Sequence, residues 1–394
     1  MKKILYISII VFTAVSCNKL ELTPLDRISD ASTWSDQNLI QLYVNAQYNV
    51  LLHGYQQDLL AAADDEAFNI HQYGNMYMVQ TGQLTQDNVT GFSTKINYWD
   101  FAYGYIYNIN VFFSKIDAAP VDSAFKAGAV AEMQFLRAYI YANLIWRYGG
   151  VPIITKVFDL HDNFQVTRAS YDDCVKFIDS ELDSAAAALP ANQPADQKGR
   201  ASANACLALK ARVLLYDASA QNNPDHDDQK WQAAADASAA LLNLGYSLNP
   251  DYQSTFLEDN NEIIFARYFT QANSTNFSLE QGRNGSNGWT SQNPSQNQVN
   301  AYEMAATGML PYTVQPDGTL ALNPGSGYDP DNPYVGRDPR FDASILHDGS
   351  LWQGRVTETF DGGLDSPGRS IQPWNASLTS YAYKKGVVEN IPPS

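Results

Sequence analysis

The chain has 394 residues, 42 of them acidic and 25 basic, for a formal net charge of −17. That balance argues against nucleic acid, whose phosphates require basic surface, and against a polybasic patch for a membrane surface. The length is ample for a sizeable core, as one large or two ordinary domains.

Lys2 and Lys3 precede a short apolar run, Ile4–Val15. A bilayer-spanning helix needs about 20 residues, so the run reads as a signal peptide over residues 1–16. The small residue directly before Cys17 resembles the lipobox of bacterial lipoproteins. It implies cleavage before Cys17 and acylation of its sulfur and new amino group. An ordinary secretory signal with an incidental cysteine is the alternative. Cleavage would remove Lys2 and Lys3 and no acidic residue, taking the net charge from −17 to −19. Cys174 and Cys206 fall on apolar faces of predicted helices and read as core thiols rather than a disulfide.

Asp36 or Ser35 can cap a helix running to about Leu52, with Leu39, Tyr43, Ala46 and Val50 inward. Ala61–Ile96 is polar and aromatic and holds Asp64, Asp65, Glu66, His71, Tyr73 and Tyr77. A connection that long is usually functional or disordered. Asn97–Ile116 has helical spacing at Trp99, Tyr103, Ile106, Asn110 and Phe113. The chain is organised around the next stretch, Asp122–Tyr148, where Met133, Leu136, Ile140 and Leu144 form one apolar stripe and Phe135 and Tyr139 a second. A helix of that length spans about 40 Å. Gly149 or Gly150 can close it, and Pro152 blocks its continuation.

Val151–Thr155 reads as a short extended piece. Ser170 and Asp173 offer a capping box for a helix with Tyr171, Val175, Ile178, Leu182 and Leu189 on one face. Ala201–Ala220 and Gln229–Leu244 follow as helices, the second carrying Trp231 and spaced alanines. Trp231, those alanines and Pro250 weakly resemble a tetratricopeptide repeat. Glu262–Ala266 reads as a short strand. Residues 271–394 hold 14 of the 24 glycines and 11 of the 18 prolines. Helical periodicity fades there except around Asn297–Ala306, so loops and short strands are expected.

Motifs for a serine elbow, a zinc protease and a phosphate loop are absent. The five histidines are scattered, so no metal cluster of nitrogen and sulfur ligands is expected. Asp225–Asp228 and Asp329–Asn332 read as solvated acidic turns rather than calcium loops. No catalytic pair stands out among the carboxylates, and no cofactor is expected. Trp289 lies in Gly282–Gln298, rich in Gly, Asn, Ser and Gln, where its ring has few apolar neighbours. Such a mixture suits sugars, which offer apolar C–H faces to aromatic rings and hydroxyls to polar groups. The bland alternative is a tryptophan that staples its loop to the helices.

Several segments resemble the SusD/RagB family of outer-membrane, cell-surface nutrient-binding lipoproteins. They are Glu132–Tyr139 with Arg147–Pro152, Gly199–Ala201 with Ala208–Val213, Gly245–Leu248, Asn261–Phe265, Gln298–Met304 and Arg337–Phe341. The resemblance implies a mainly α fold of tetratricopeptide-like helix pairs (17–270), with a loop-rich, short-strand region (271–394) packed on them. It also implies a non-enzymatic receptor, lipid-anchored to the outer membrane, that captures glycan and delivers it to a SusC-like TonB-dependent transporter. Asp64–Glu66 matches a region that often faces ligand. The family normally continues past a segment like Ser380–Lys385 into further helices, so a C-terminally truncated chain is expected. The candidate binding set is Trp289, with Tyr73 and Tyr77 four residues apart, and Asp65 as a hydroxyl acceptor. The alternatives are a secreted glycoside hydrolase with unrecognised carboxylates or a tetratricopeptide-like scaffold that binds only protein.

Overall fold

The computed structural model describes residues 30–55, 59–72, 75–89, 97–370 and 372–389. The predicted signal peptide with Cys17, and Tyr73, lie outside the described residues. Helix α1 (Gln37–Gln47) begins where the Asp36 carboxylate accepts from the amides of Asn38 and Leu39, at 2.7 and 3.3 Å. It passes into a 3-10 turn at Tyr48–Val50. Its buried stripe is Ile40, Val44, Gln47 and Val50; Val50 is as predicted, the other three lie one position along from the predicted Leu39, Tyr43 and Ala46, and Ala46 is exposed. Tyr43 stays at the edge of the stripe because its hydroxyl donates to the Asn108 carbonyl at 2.8 Å.

The long connection holds strand β1 (Ala67–Asn69) and helix α2 (Asn75–Gln80). Five longer helices follow: α3 (Trp99–Ile116), α4 (Ser123–Tyr148), α5 (Tyr171–Ala188), α6 (Ala203–Ala218) and α7 (Asp228–Ala239). Each packs on the next in chain order, and α1 packs on α4. Asp122 caps α4 by accepting from the Phe125 amide at 2.9 Å, and Gly149 ends it at φ +69°. A left-handed residue there costs a glycine nothing, whereas a Cβ would be strained. From Ala129 to Ile145 nearly every side chain of α4 is buried, including both predicted stripes apart from the partly buried Tyr139.

A helix buried on all sides cannot leave its charges unpaired. Arg137 donates to Glu181 on α5 at 2.7 Å, and Glu132 accepts from Arg200 at 2.7 Å and from the Tyr48 hydroxyl. Cys174 and Cys206 are free buried thiols, as expected. Two local readings need correction. Helix α7 ends at Ala239, short of the predicted Leu244; its buried residue is Ala234, whose small side chain lets α6 and α7 approach closely, while Trp231 is 48% exposed. Glu262–Ala266 is not a strand. No neighbouring edge pairs with it among the described residues, and Phe265 instead packs its ring against Phe135 at 5.2 Å.

The remaining residues form α8 (Phe277–Gln281), β2 (Gln292–Pro294), α9 (Gln296–Asn300), β3 (Tyr312–Val314), β4 (Leu320–Leu322), α10 (Pro339–Ser344), β5 (Ile345–Leu346), β6 (Leu351–Trp352), β7 (Arg355–Val356) and β8 (Ala382–Tyr383). The strands pair as antiparallel ribbons β1–β2, β3–β4, β5–β8 and β6–β7. Two small cores hold this region together, one around Phe277, Leu346 and Trp352 and one around Val299, Phe341, Ile345 and Tyr381. The architecture is mainly α with a loop-rich, short-strand region. No described helix is long and apolar enough to cross a membrane.

One half-buried acid works against the fold. Asp179 on α5 has an oxygen with no hydrogen-bond partner. Burial pushes its carboxyl up to about 6, Lys210 pulls it back in part, and Asp183 and Asp217 push it further. The folded chain therefore holds this proton more tightly than the unfolded one. The destabilisation is full above about pH 6 and is relieved as pH falls toward 3.8. Asp179→Asn should raise stability at pH 7.5 by about 1 kcal/mol, allowing for partial solvation, and give no advantage at pH 4. Equal melting temperatures of variant and parent at pH 7.5 would contradict this.

Candidate functional site

The loop from Gly282 to Thr290 is closed on itself rather than open. The amides of Gly288, Trp289, Thr290 and Ser291 donate to the carbonyls of Arg283, Leu279, Gly282 and Glu280, all at 2.8–2.9 Å. A Cβ on Gly288 would lie 2.1 Å from the Gly282 oxygen, and one on Gly285 would lie 1.9 Å from Asp365 Oδ1. These glycines serve close approach, not flexibility. Thr290 sits at φ +47°, a conformation β-branched residues avoid. Its hydroxyl accepts from the Asn284 amide at 2.9 Å, which helps hold it there.

Asn284 then reaches across 88 residues. Its side chain donates to the Gln372 carbonyl at 3.0 Å and accepts from the Gln372 amide at 3.1 Å. This two-point clamp fixes the 3-10 turn Pro373–Asn375, which carries Trp374. Trp374 is 73% exposed. Beneath the loop, Arg283 and Arg355 both meet Asp365, at 3.3 and 2.6 Å. Burial alone would raise the Asp365 carboxyl. Its bonds to Arg355 and the Glu358 amide, with Arg283 nearby, overcome that and hold it below its ordinary value.

The β1–β2 ribbon supplies the other wall. Asn69 pairs with Gln292, and the Ile70 amide continues the ladder to the Ser291 carbonyl at 3.1 Å. The His71 ring meets Ser291 Oγ at 3.1 Å. The result is a cleft of about 660 Å³ lined by Ile70, His71, Gln72, Trp289, Gln372, Trp374 and Asn375. That lies within the range of about 300–1,000 Å³ usual for small-molecule sites. Two indoles supply apolar faces, while amides and an imidazole supply donors and acceptors. This combination can hold a ring with C–H faces and peripheral hydroxyls.

Among the sequence-derived candidates, Trp289 is half-buried in this cleft. Tyr77 is on α2, its ring edge-on to Phe68 at 6.2 Å, and is not in the described lining. Asp65 is exposed at the far end of β1, where its carboxylate lies 3.5 Å from the Asn297 amide. The three residues of β1, a rise of about 10 Å, lie between it and Ile70. Trp374 and its clamp were missed, although Trp374 has the same signal as Trp289: a tryptophan among Gln, Pro and Asn in a glycine-rich region. Trp352, in similar surroundings, is core at 2% exposure. The two acidic turns use their carboxylates locally. Asp227 caps α7 through the Gln229 amide, and Asp329 accepts from the Asp331 amide and the Asn332 side chain. No group of three or more metal-ligating side chains converges among the described residues.

Residues 22–215 match a SusD-like family described as "Starch-binding associating with outer membrane", and residues 261–393 match the SusD family. The chain belongs to the SusD/RagB family. A SusD-like protein of Bacteroides ovatus is 25% identical over 318 residues, covering 76% of this chain and 56% of the relative. One of Formosa agariphila is 25% identical over 178 residues, covering 44% and 32%. The chain thus spans about half the length of the first relative and about a third of the second. The crystal structure of a SusD-like protein from Bacteroides fragilis aligns with a TM-score of 0.71 at 28% identity, covering 92% of this chain and 70% of that one. A SusD-like carbohydrate binding protein from the same species shares the fold with a TM-score of 0.72 at 24% identity, covering 90% and 68%.

Proposed function

We propose that the chain is a cell-surface glycan-binding lipoprotein. It captures an oligosaccharide or a polysaccharide segment at the Trp289–Trp374 cleft without covalent change. Anchored to the outer membrane through Cys17, it passes the glycan to a TonB-dependent transporter. The observation that carries this is an exposed Trp374 held next to the Trp289 loop by a side-chain-to-backbone clamp, over a cleft lined with amides. Relatives described as starch-binding and carbohydrate binding support it.

Sugar rings would lie on the indoles while Gln72, Gln372 and Asn375 take hydroxyl hydrogen bonds. Because the Trp289 loop is closed on its own backbone and the Trp374 turn is clamped to Asn284 without ligand, little ordering entropy should be lost on capture. Tyr73, Tyr77 and Asp65 would serve only the outlying units of a longer glycan.

The test is calorimetric titration and gel retardation against a panel of polysaccharides, with reducing-end release measured alongside. Trp374→Ala should weaken binding of the best glycan by about 1–3 kcal/mol, taking aromatic stacking on nucleic-acid bases as the analogue. Its melting temperature should stay unchanged, because the ring is mostly in solvent. Trp289→Ala should lose both affinity and stability. Unchanged affinity in Trp374→Ala removes the cleft. Reducing-end release would favour a hydrolase, and no retardation by any glycan would favour a protein scaffold. Cys17→Ala should move the protein out of the membrane fraction, and an unchanged fraction would rule out the anchor.

A further inference from the structure

Three segments that carry the family resemblance, 298–304, 337–341 and 380–385, play no part in the tryptophan cleft. They meet elsewhere. Tyr383 pairs with Ile345 in the β5–β8 ribbon, and the amides of Lys384 and Lys385 both donate to the Ser344 carbonyl, at 2.9 and 3.2 Å. Gln298, Tyr302, Arg340, Tyr383 and Lys385 thereby line one cleft of about 490 Å³, closed on other sides by Leu59, Pro294 and Glu66.

Two cations face it. The Lys385 ammonium lies over the Phe256 ring at 4.2 Å and near Tyr252 at 5.6 Å. No described carboxylate forms an ion pair with it. Arg340 gives Nε and one terminal nitrogen to Asp338, both at 2.8 Å, with Glu303 at 3.7 Å. Its second terminal nitrogen makes no bond among the described residues. Among the described lysines, Lys385 is the one whose ammonium makes neither an ion pair nor a hydrogen bond; the others each have a carboxylate or a carbonyl. We propose that this cleft is a second ligand site that takes an acidic sugar, a hexuronate unit, through its carboxylate.

Asp338 and Glu303 already meet the charge of Arg340, so Lys385 is the cation left to a ligand, and one negative charge matches it. Glu66 also lines the cleft, so a dianion such as phosphate would meet repulsion that a carboxylate largely avoids. The volume and the Tyr302 and Tyr383 rings favour a sugar over a bare carboxylate. Gln298 and Glu66 would take hydroxyls on the wall away from Lys385. The inference does not depend on the tryptophan cleft.

The test is calorimetric titration of the full chain with sodium glucuronate and sodium galacturonate, against glucose, galactose and acetate. At least one uronate should bind more tightly than its neutral counterpart and than acetate, and added salt should weaken it. Lys385→Gln should weaken it by about tenfold or more, the usual loss for a charge-assisted hydrogen bond, and Arg340→Gln should act in the same direction. Both side chains are exposed, so both variants should fold. Equal binding of uronate and neutral hexose, acetate matching uronate, no uronate binding, or an unaltered Lys385→Gln would each overturn the proposal. Loss of uronate binding in Trp374→Ala would also overturn it, by placing the sugar in the other cleft. The tryptophan cleft is judged on the polysaccharide panel, so failure here leaves that reading standing.

Discussion

Glu181→Ala is expected to lower the unfolding free energy by about 3–5 kcal/mol, the usual cost of leaving one member of a buried ion pair alone. Both side chains of the Arg137–Glu181 pair are about nine-tenths buried, at 2.7 Å. Arg137 also donates to Asn110 at 3.2 Å, and Asn110 in turn donates to the Ile154 carbonyl at 3.0 Å. One network thus joins α3, α4, α5 and the extended segment after α4. Removing the glutamate leaves the guanidinium in an apolar core, over the Phe113 ring at 4.2 Å, with too few acceptors. The double substitution Arg137→Met/Glu181→Leu should cost much less, because no charge is stranded. Urea denaturation of all three proteins at pH 7 separates the cases. A loss below about 1 kcal/mol in Glu181→Ala would show that the pair behaves like a solvated surface bridge.

Asp365→Ala should cost a similar amount, about 3–5 kcal/mol, and should also reach the tryptophan cleft. Asp365 is 5% exposed and meets two guanidinium groups below the Trp289 loop. Without it Arg283 and Arg355 repel each other under Gly285, and the loop that carries Trp289 loses its floor. Glycan affinity should therefore fall together with stability, unlike Trp374→Ala, where affinity alone falls. The pH dependence has a definite sign. A carboxyl held below its ordinary value of 3.8 contributes its stability fully above that value and loses it as pH falls through the lower, folded-state value. The parent should accordingly lose part of its advantage over Asp365→Ala in strong acid. Full glycan affinity in a destabilised Asp365→Ala would separate the ion cluster from the site.

The helical scaffold was legible because its signals are local. Asp122 and Gly149 bracket α4, Ser170 begins α5, and the apolar spacing between such marks is enough to define a helix. Which face turned inward was less legible. In α1 both Leu39/Tyr43 and Ile40/Val44 satisfy helical spacing, and only the position of α4 decides between them. Trp289 was singled out by its polar, glycine-rich neighbours, but Gly288 and Gly285 are there because the Gly282 carbonyl and the distant Asp365 leave no room for a Cβ. The same composition surrounds Trp352, which is core, and Trp374, which is in solvent.

The sequence by itself determined the helical class, both ends of α4 and α5, and membership of the SusD/RagB family. Each depends on residues within a turn or two of one another, or on motifs in linear order. Tertiary structure alone decided that Glu181 meets Arg137 across 44 residues, that Asn284 holds the turn of Trp374, and that residues 70–72 flank Trp289. It also set Asp65 at the other end of β1. Burial and clefts are made by contacts between distant segments, and one-dimensional spacing carries no information on which distant segment will arrive.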